Sequence, residues 1–129
     1  MGDHGQSSCL FEPGKALLKA GAFDLPCAYG LAKLGRHTHL YSGVVPDVLK
    51  PFGKTYEILE TQPLNKRSVK EIGARYPRAD VTARNIPLTS EELRRKLGVK
   101  DGGPVHIFGA RLDADDSNVL LVCSRVYFA

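Results

Sequence analysis

The 129-residue sequence predicts an α+β protein: an N-terminal helical hairpin followed by a β-α-β-α-β-β domain built on a mixed four-stranded sheet. Three observations predict it. From Lys54 onward, β-rich alternating stretches take turns with stretches of helical periodicity. "LTSEEL" at 88–93 holds the signature of a helix start, with Thr89 as N-cap, Glu92 completing a capping box, and Leu88 and Leu93 as a hydrophobic staple. Two apolar runs, "VHIFGARL" and "NVLLVCSRV", flank the acidic turn-forming cluster "DADDS", as a β-hairpin requires.

Taken in order, residues 1–9 begin "MGDHGQSS", a short polar stretch that fits a disordered leader or expression scar better than a signal peptide. In 12–20, Pro13 suits a first helical turn and Gly21 a stop. Asp24 is an N-cap candidate for a second helix, with Pro26 just inside it, running to Gly35. These helices form the hairpin of a first subdomain, 10–53, with "RHTHLYSG" as a short strand. Proline and glycine between Val44 and Gly53 mark the boundary with the second, 54–127. There "TYEILET" is a strand, Asn65 caps a helix carrying Val69, Ile72 and Tyr76, and "ADVTARN" is a second strand. The capping-box helix ends at Gly98, and the hairpin closes the domain. Each crossover is long enough to join parallel strands, which places both helices on one face of the sheet. The last two strands are apolar on both faces, so the hairpin subdomain or a domain outside this chain must cover the second face.

Composition narrows the function classes. No run approaches the roughly 18 apolar residues of a membrane span. Cys9, Cys27 and Cys123 are odd in number and far apart, which fits reduced thiols in the cytoplasm rather than a disulfide framework or zinc site. The net charge of +4 tilts toward polyanionic partners without identifying one. There is no G-x-G-x-x-G, P-loop, nucleophile elbow or H-E-x-x-H. His37 and His39 have strand spacing but no third metal ligand nearby. Asp113, Asp115 and Asp116 lack the glycine and distal glutamate of a calcium loop. No nucleophile stands beside His39 or His106, so the reading assigns no catalytic residue, metal or cofactor to this chain.

The cations divide by what already occupies them. In "RRK", Arg95 and Lys96 follow Glu91 and Glu92 by four residues, the order that favours helical ion pairs, whereas Arg94 has Ser90 at that spacing. Lys66 and Arg67 occupy a first helical turn, where the macrodipole disfavours cations, and Lys70 repeats the charge one turn on. Free N–H groups, an Asn cap and clustered cations at a helix start suit phosphate. Arg84 and Asn85 stand at a strand end, the usual ligand position in open α/β sheets, although Arg84 is also placed to pair with Glu57 or Glu60. The candidate nucleic-acid surface is therefore Lys66, Arg67, Lys70, Arg84 and Asn85, with Arg94 at its margin.

The ordered phrases "FEPGKALLKAGAF", "HTHLYSG", "YEILETQPLNKRSVKEI", "DVTARNIPLTSEELRRKLGVKDGG" and "VLLVCSRV" resemble the C-terminal region of a family of bacterial, Bacteroidetes-type, class I S-adenosylmethionine-dependent methyltransferases that ends in a THUMP-like domain. The resemblance covers roughly residues 10 to 126. The family pattern has Asn where this chain has Gly14. The resemblance implies a fragment: a ferredoxin-like segment and a Rossmann-like methyltransferase domain would lie upstream, the latter holding S-adenosylmethionine. It implies RNA, such as tRNA or rRNA, as partner, with this domain presenting it to the catalytic domain. The alternative is a docking module in which Glu12, Pro13 and His39 support the methyltransferase domain and no RNA is bound.

Overall fold

A computed structural model describes residues 9–128, so the expected leader lies outside the described residues except for Cys9. The elements run β1 (Cys9–Pro13), α1 (Lys15–Lys19), α2 (Leu25–Ala28), β2 (Ala32–Lys33), β3 (Tyr41–Ser42), a 3₁₀ turn (Lys50–Phe52), β4 (Gly53–Pro63), α3 (Lys66–Arg75), β5 (Arg78–Arg84), α4 (Ser90–Leu97), β6 (Lys100–Leu112) and β7 (Ser117–Val126).

From Gly53 on, the order is the expected β-α-β-α-β-β. β5 and β6 are parallel, β6 and β7 form the antiparallel hairpin, and β4 lies antiparallel to β7. The sheet nevertheless has seven strands rather than four, in the order β2-β3-β1-β4-β7-β6-β5. The first subdomain adds the three extra strands along the edge of β4, so what reads as a helical hairpin is two short helices set among three short strands. "CLFEP" is the strand β1, with Leu10 and Phe11 fully buried in different clusters on its two faces. Pro13 ends that strand instead of opening a helix. The two helices that follow have five and four residues, cut short where Gly21 and Gly30 take positive φ. Asp24 makes no side-chain capping bond; its carboxylate accepts from Lys33 Nζ at 2.5 Å.

Three clusters form the core, and the two larger ones lie on opposite faces of the sheet. On one, Val69 and Ile72 of α3 and Leu93 and Leu97 of α4 pack on Ala79, Val105, Ile107, Leu120 and Val122. The helices touch closely, because Gly73 of α3 faces the backbone of α4: a Cβ there would stand 2.0 Å from the carbonyl oxygen of Leu97. On the other face Tyr56, Phe108, Leu121 and Cys123 pack beneath Leu10 and Leu40 of the first subdomain, which covers the second face as an apolar hairpin demands. The acidic turn clips this cover in place. The Asp113 carboxylate accepts from the Arg36 amide at 2.7 Å, and Arg111 bridges Asp113 and Asp116.

A bulge between Ile58 and Glu60 changes the face of β4. Before it, Tyr56 points to the second face; beyond it, Glu60 points to the helices, where it accepts from Arg75 at 2.5 Å and the Tyr76 hydroxyl at 3.0 Å. The Arg75 guanidinium holds the Glu60 carboxyl below its ordinary range.

Candidate nucleic-acid groove

The start of α3 and the end of α4 enclose a groove of about 500 Å³. Its apolar surface comes from Leu64, Val69, Leu88 and Leu97, and Lys66, Lys70 and Lys96 rim it. Asn65 caps α3 by accepting from the Ser68 amide at 2.8 Å, and no acidic residue lies in that first turn. None of the three lysines has an ion-pair partner among the described residues. Unpaired ammonium groups beside a positive helix end attract anions, while the apolar surface accepts a ring or an aliphatic segment.

The sequence-predicted cations separate in space. Lys66 and Lys70 share the groove, but Arg67 is an exposed neighbour bonded to Glu71 at 3.3 Å. Arg84 is on the opposite face of the sheet, its guanidinium donating to Glu12 Oε2 at 2.8 Å rather than to Glu57 or Glu60. Asn85 follows β5 in the left-handed region at φ 60° and is exposed. Arg94 pairs with Glu91 at i−3, lies near Asp101, and donates to the Val99 carbonyl at 3.5 Å.

The spacing from Glu92 predicts an ion pair for Lys96, yet that carboxylate is engaged at the helix cap. Thr89 Oγ1 accepts from the Glu92 amide while Glu92 Oε1 accepts from the Thr89 amide, the reciprocal capping box, and this bonding lowers the Glu92 carboxyl below its usual range. The cap holds the Glu92 carboxylate at the helix start through Oε1, and no ion pair forms between Glu92 and Lys96 among the described residues. That competition was visible in the sequence, since both roles fall on Glu92.

The residues considered for docking are largely turned inward. Glu12 lies between Arg84 and the Tyr56 hydroxyl, Pro13 is buried, and His39, at φ 58°, stacks on Phe23 with ring centroids 4.6 Å apart. Burial lowers the pKa of His39. His106 also sits inside a network, its Nδ1 3.3 Å from the Tyr56 hydroxyl and its Nε2 2.7 Å from Thr82 Oγ1. No cluster of three His, Cys, Asp or Glu residues occurs among the described residues, and no helix there is long and apolar enough to cross a membrane.

Comparison with known proteins places these observations in a family. No curated protein matches the chain. Among solved structures it is similar to one described as "putative methyltransferase from Porphyromonas gingivalis W83", with 34% identity and a TM-score of 0.82 over 93% of this chain. This chain spans only 30% of that protein. A ferredoxin-like domain model matches residues 10–47, which corrects the expectation that such a segment lies upstream: it is the β1-to-β3 unit of this chain. Residues 53–125, the sheet with its two longer helices and the lysine groove, match the model described as THUMP domain-like. The chain belongs to the THUMP domain-like family.

Proposed function

We propose that this chain is a non-catalytic, RNA-binding accessory region of an S-adenosylmethionine-dependent class I methyltransferase of the Bacteroidetes type. It presents RNA to a catalytic domain that lies outside residues 1–129 and holds the cofactor. The carrying observation is the groove in which Lys66, Lys70 and Lys96, all without ion-pair partners among the described residues, surround apolar side chains at a helix N-terminus. Phosphates meet the lysines and the start of α3, while sugar or base edges lie on Leu64 and Leu88. The three free cysteines fit the reducing cytoplasm. Arg67, Arg84, Asn85 and Arg94 contribute less than their sequence positions promised, because three of them have bonded partners within the fold.

The test is the salt dependence of binding to structured and single-stranded RNA, followed by fluorescence anisotropy. The log–log slope is expected to fall by roughly 0.7 to 0.9 per lysine removed when Lys66→Ala and Lys70→Ala are combined. Arg94→Ala, whose guanidinium is already paired, should alter the slope much less. Equal losses from both, or no RNA binding at low salt, would reject the groove.

A second reading, docking against the rest of a longer protein, is favoured by one observation. Val44, Cys9, Val126 and Phe128 line a common apolar cleft, and Val44 and Phe128 are 60% and 49% exposed. Docking without RNA binding would leave Phe128→Ser defective in association with the methyltransferase region and the lysine variants unaffected.

A further inference from the structure

The second face of the sheet carries a separate polar cavity of about 370 Å³ at the end that the first subdomain leaves open. Its chemistry differs from that of the lysine groove. Lys54 on β4 and Arg125 on β7 bring two cations to one side, since Arg125 is in register with Tyr56, two residues beyond Lys54 on the same strand face. Neither has a carboxylate partner among the described residues. Lys54 stands in register with Glu12, the natural cross-strand partner, but Glu12 is committed to Arg84 and Tyr56. Arg125 rests against the ring of Tyr127 at 4.8 Å, and its Nε is buried without an acceptor. A buried donor left unpaired is destabilising unless something accepts from it.

Across the cavity the group changes sign. Asp80 on β5 lines it too, and its Oδ1 is fixed by the Gly102 amide at 2.9 Å, where Gly102 takes φ 75° to turn the chain over the strand. The other carboxylate oxygen is left to accept. Between the two sides lies His106, with both ring nitrogens engaged by Tyr56 and Thr82, so it offers ring surface rather than a proton. β7 and β5 are separated by one strand, and Arg125 lies two residues beyond Cys123, which aligns with Asp80 through His106, so the backbones of Arg125 and Asp80 stand about 12 Å apart.

The geometry points to a site for a single nucleotide unit, with its phosphate on Lys54 and Arg125, its ring beside Tyr127 and His106, and an exocyclic amine or ring N–H donating to Asp80. Two cations, a ring surface and a fixed acceptor are the complement of a molecule that is anionic at one end and a hydrogen-bond donor at the other. A bare phosphate uses only half of these groups. The site lies on the opposite face from the lysine groove and does not rest on it. The same chemistry belongs to a free nucleotide and to one residue of an RNA strand.

The experiment is titration of the ¹⁵N-labelled chain with AMP, adenosine, ribose 5-phosphate and a short oligoadenylate, read from amide shifts. AMP should move the Gly103, His106 and Tyr127 amides, with adenosine and ribose 5-phosphate each at least about tenfold weaker. Lys54→Gln with Arg125→Gln should weaken AMP at least about tenfold while the spectrum stays dispersed, and Asp80→Asn should erase the preference for AMP over ribose 5-phosphate. If Arg125→Gln unfolds the chain, Lys54→Gln with Asp80→Asn takes its place. AMP shifts confined to Lys66, Lys70 and Lys96, or equal affinity for AMP and ribose 5-phosphate, would overturn the inference. Oligoadenylate moving the cavity amides identifies an RNA residue as the occupant, and AMP alone doing so identifies a free nucleotide. AMP in the cavity with no RNA binding anywhere would sink the RNA-accessory reading and leave this one standing.

Discussion

Arg84 donates to Glu12 Oε2 at 2.8 Å although the two residues are 72 positions apart in the chain and four strands apart in the sheet. Four flat strand spacings amount to about 19 Å, far beyond the combined reach of the two side chains. The sheet therefore curls on its second face until its β1 and β5 regions meet, closing over Tyr56, Phe108 and Cys123. Tyr56, His106 and Thr82 continue the polar link beneath the pair. The side chains are 23% and 13% exposed, so this pair is screened less than a surface bridge.

Removing either partner leaves a charge in that partly buried setting. Arg84→Ala and Glu12→Ala should each destabilise the chain by about 1–3 kcal/mol, with Arg84→Ala leaving Glu12 its bond from Tyr56. A double-mutant cycle in urea should give a coupling of at least about 1 kcal/mol. A coupling near the few tenths typical of exposed pairs would contradict the closure.

Gly73→Ala should run against helix propensity. In an ordinary helix interior the change stabilises by up to about 1 kcal/mol. Here the added methyl meets the backbone carbonyl of Leu97 at 2.0 Å, and neither helix can yield without opening the core between them. A net loss of about 1–3 kcal/mol is expected from the overpacking, read as a lower denaturation midpoint. A gain would mean that α3 and α4 sit farther apart.

Thr89→Ala should cost about 1 kcal/mol, because it removes the acceptor for the Glu92 amide. The Glu92 carboxyl should stay below its ordinary range, because the backbone amide of residue 89, the main cause of that lowering, still donates to it. Thermal or urea unfolding checks the first effect, and carboxyl titration by NMR checks the second.

His106 provides a pH-dependent term. Burial holds its folded-state pKa below the ordinary value, so folding favours the neutral ring. The associated stability is present above the unfolded-state pKa of about 6.5 and is lost as pH falls through that value toward the folded one. Urea midpoints measured between pH 7.5 and pH 5 should decline less steeply for His106→Gln than for the parent chain. Identical slopes would show that the ring titrates freely.

The local and near-local structure of residues 54–126 is legible in the chain. Asn65, Thr89, Glu92 and Gly98 announce their helix ends because capping needs only neighbours a few residues apart. The order β-α-β-α-β-β followed from periodicity, and the parallel β5–β6 pair from the length of the crossover between them. The rest depends on contacts between distant segments. "CLFEP" carries no alternation long enough to mark a strand, and β1 exists because the edge of β4 offers it five residues of pairing. The bulge after Ile58 turned Glu60 toward Arg75 and away from Arg84, and the curl of the sheet brought Glu12 to Arg84 instead. Lys66, Lys70 and Arg84 seemed one surface because a chain shows charge but not the side of a sheet on which it will stand. Lys96 lines the groove without an ion-pair partner, because the reciprocal cap holds the Glu92 side chain back at the helix start rather than leaving it along the turn toward Lys96.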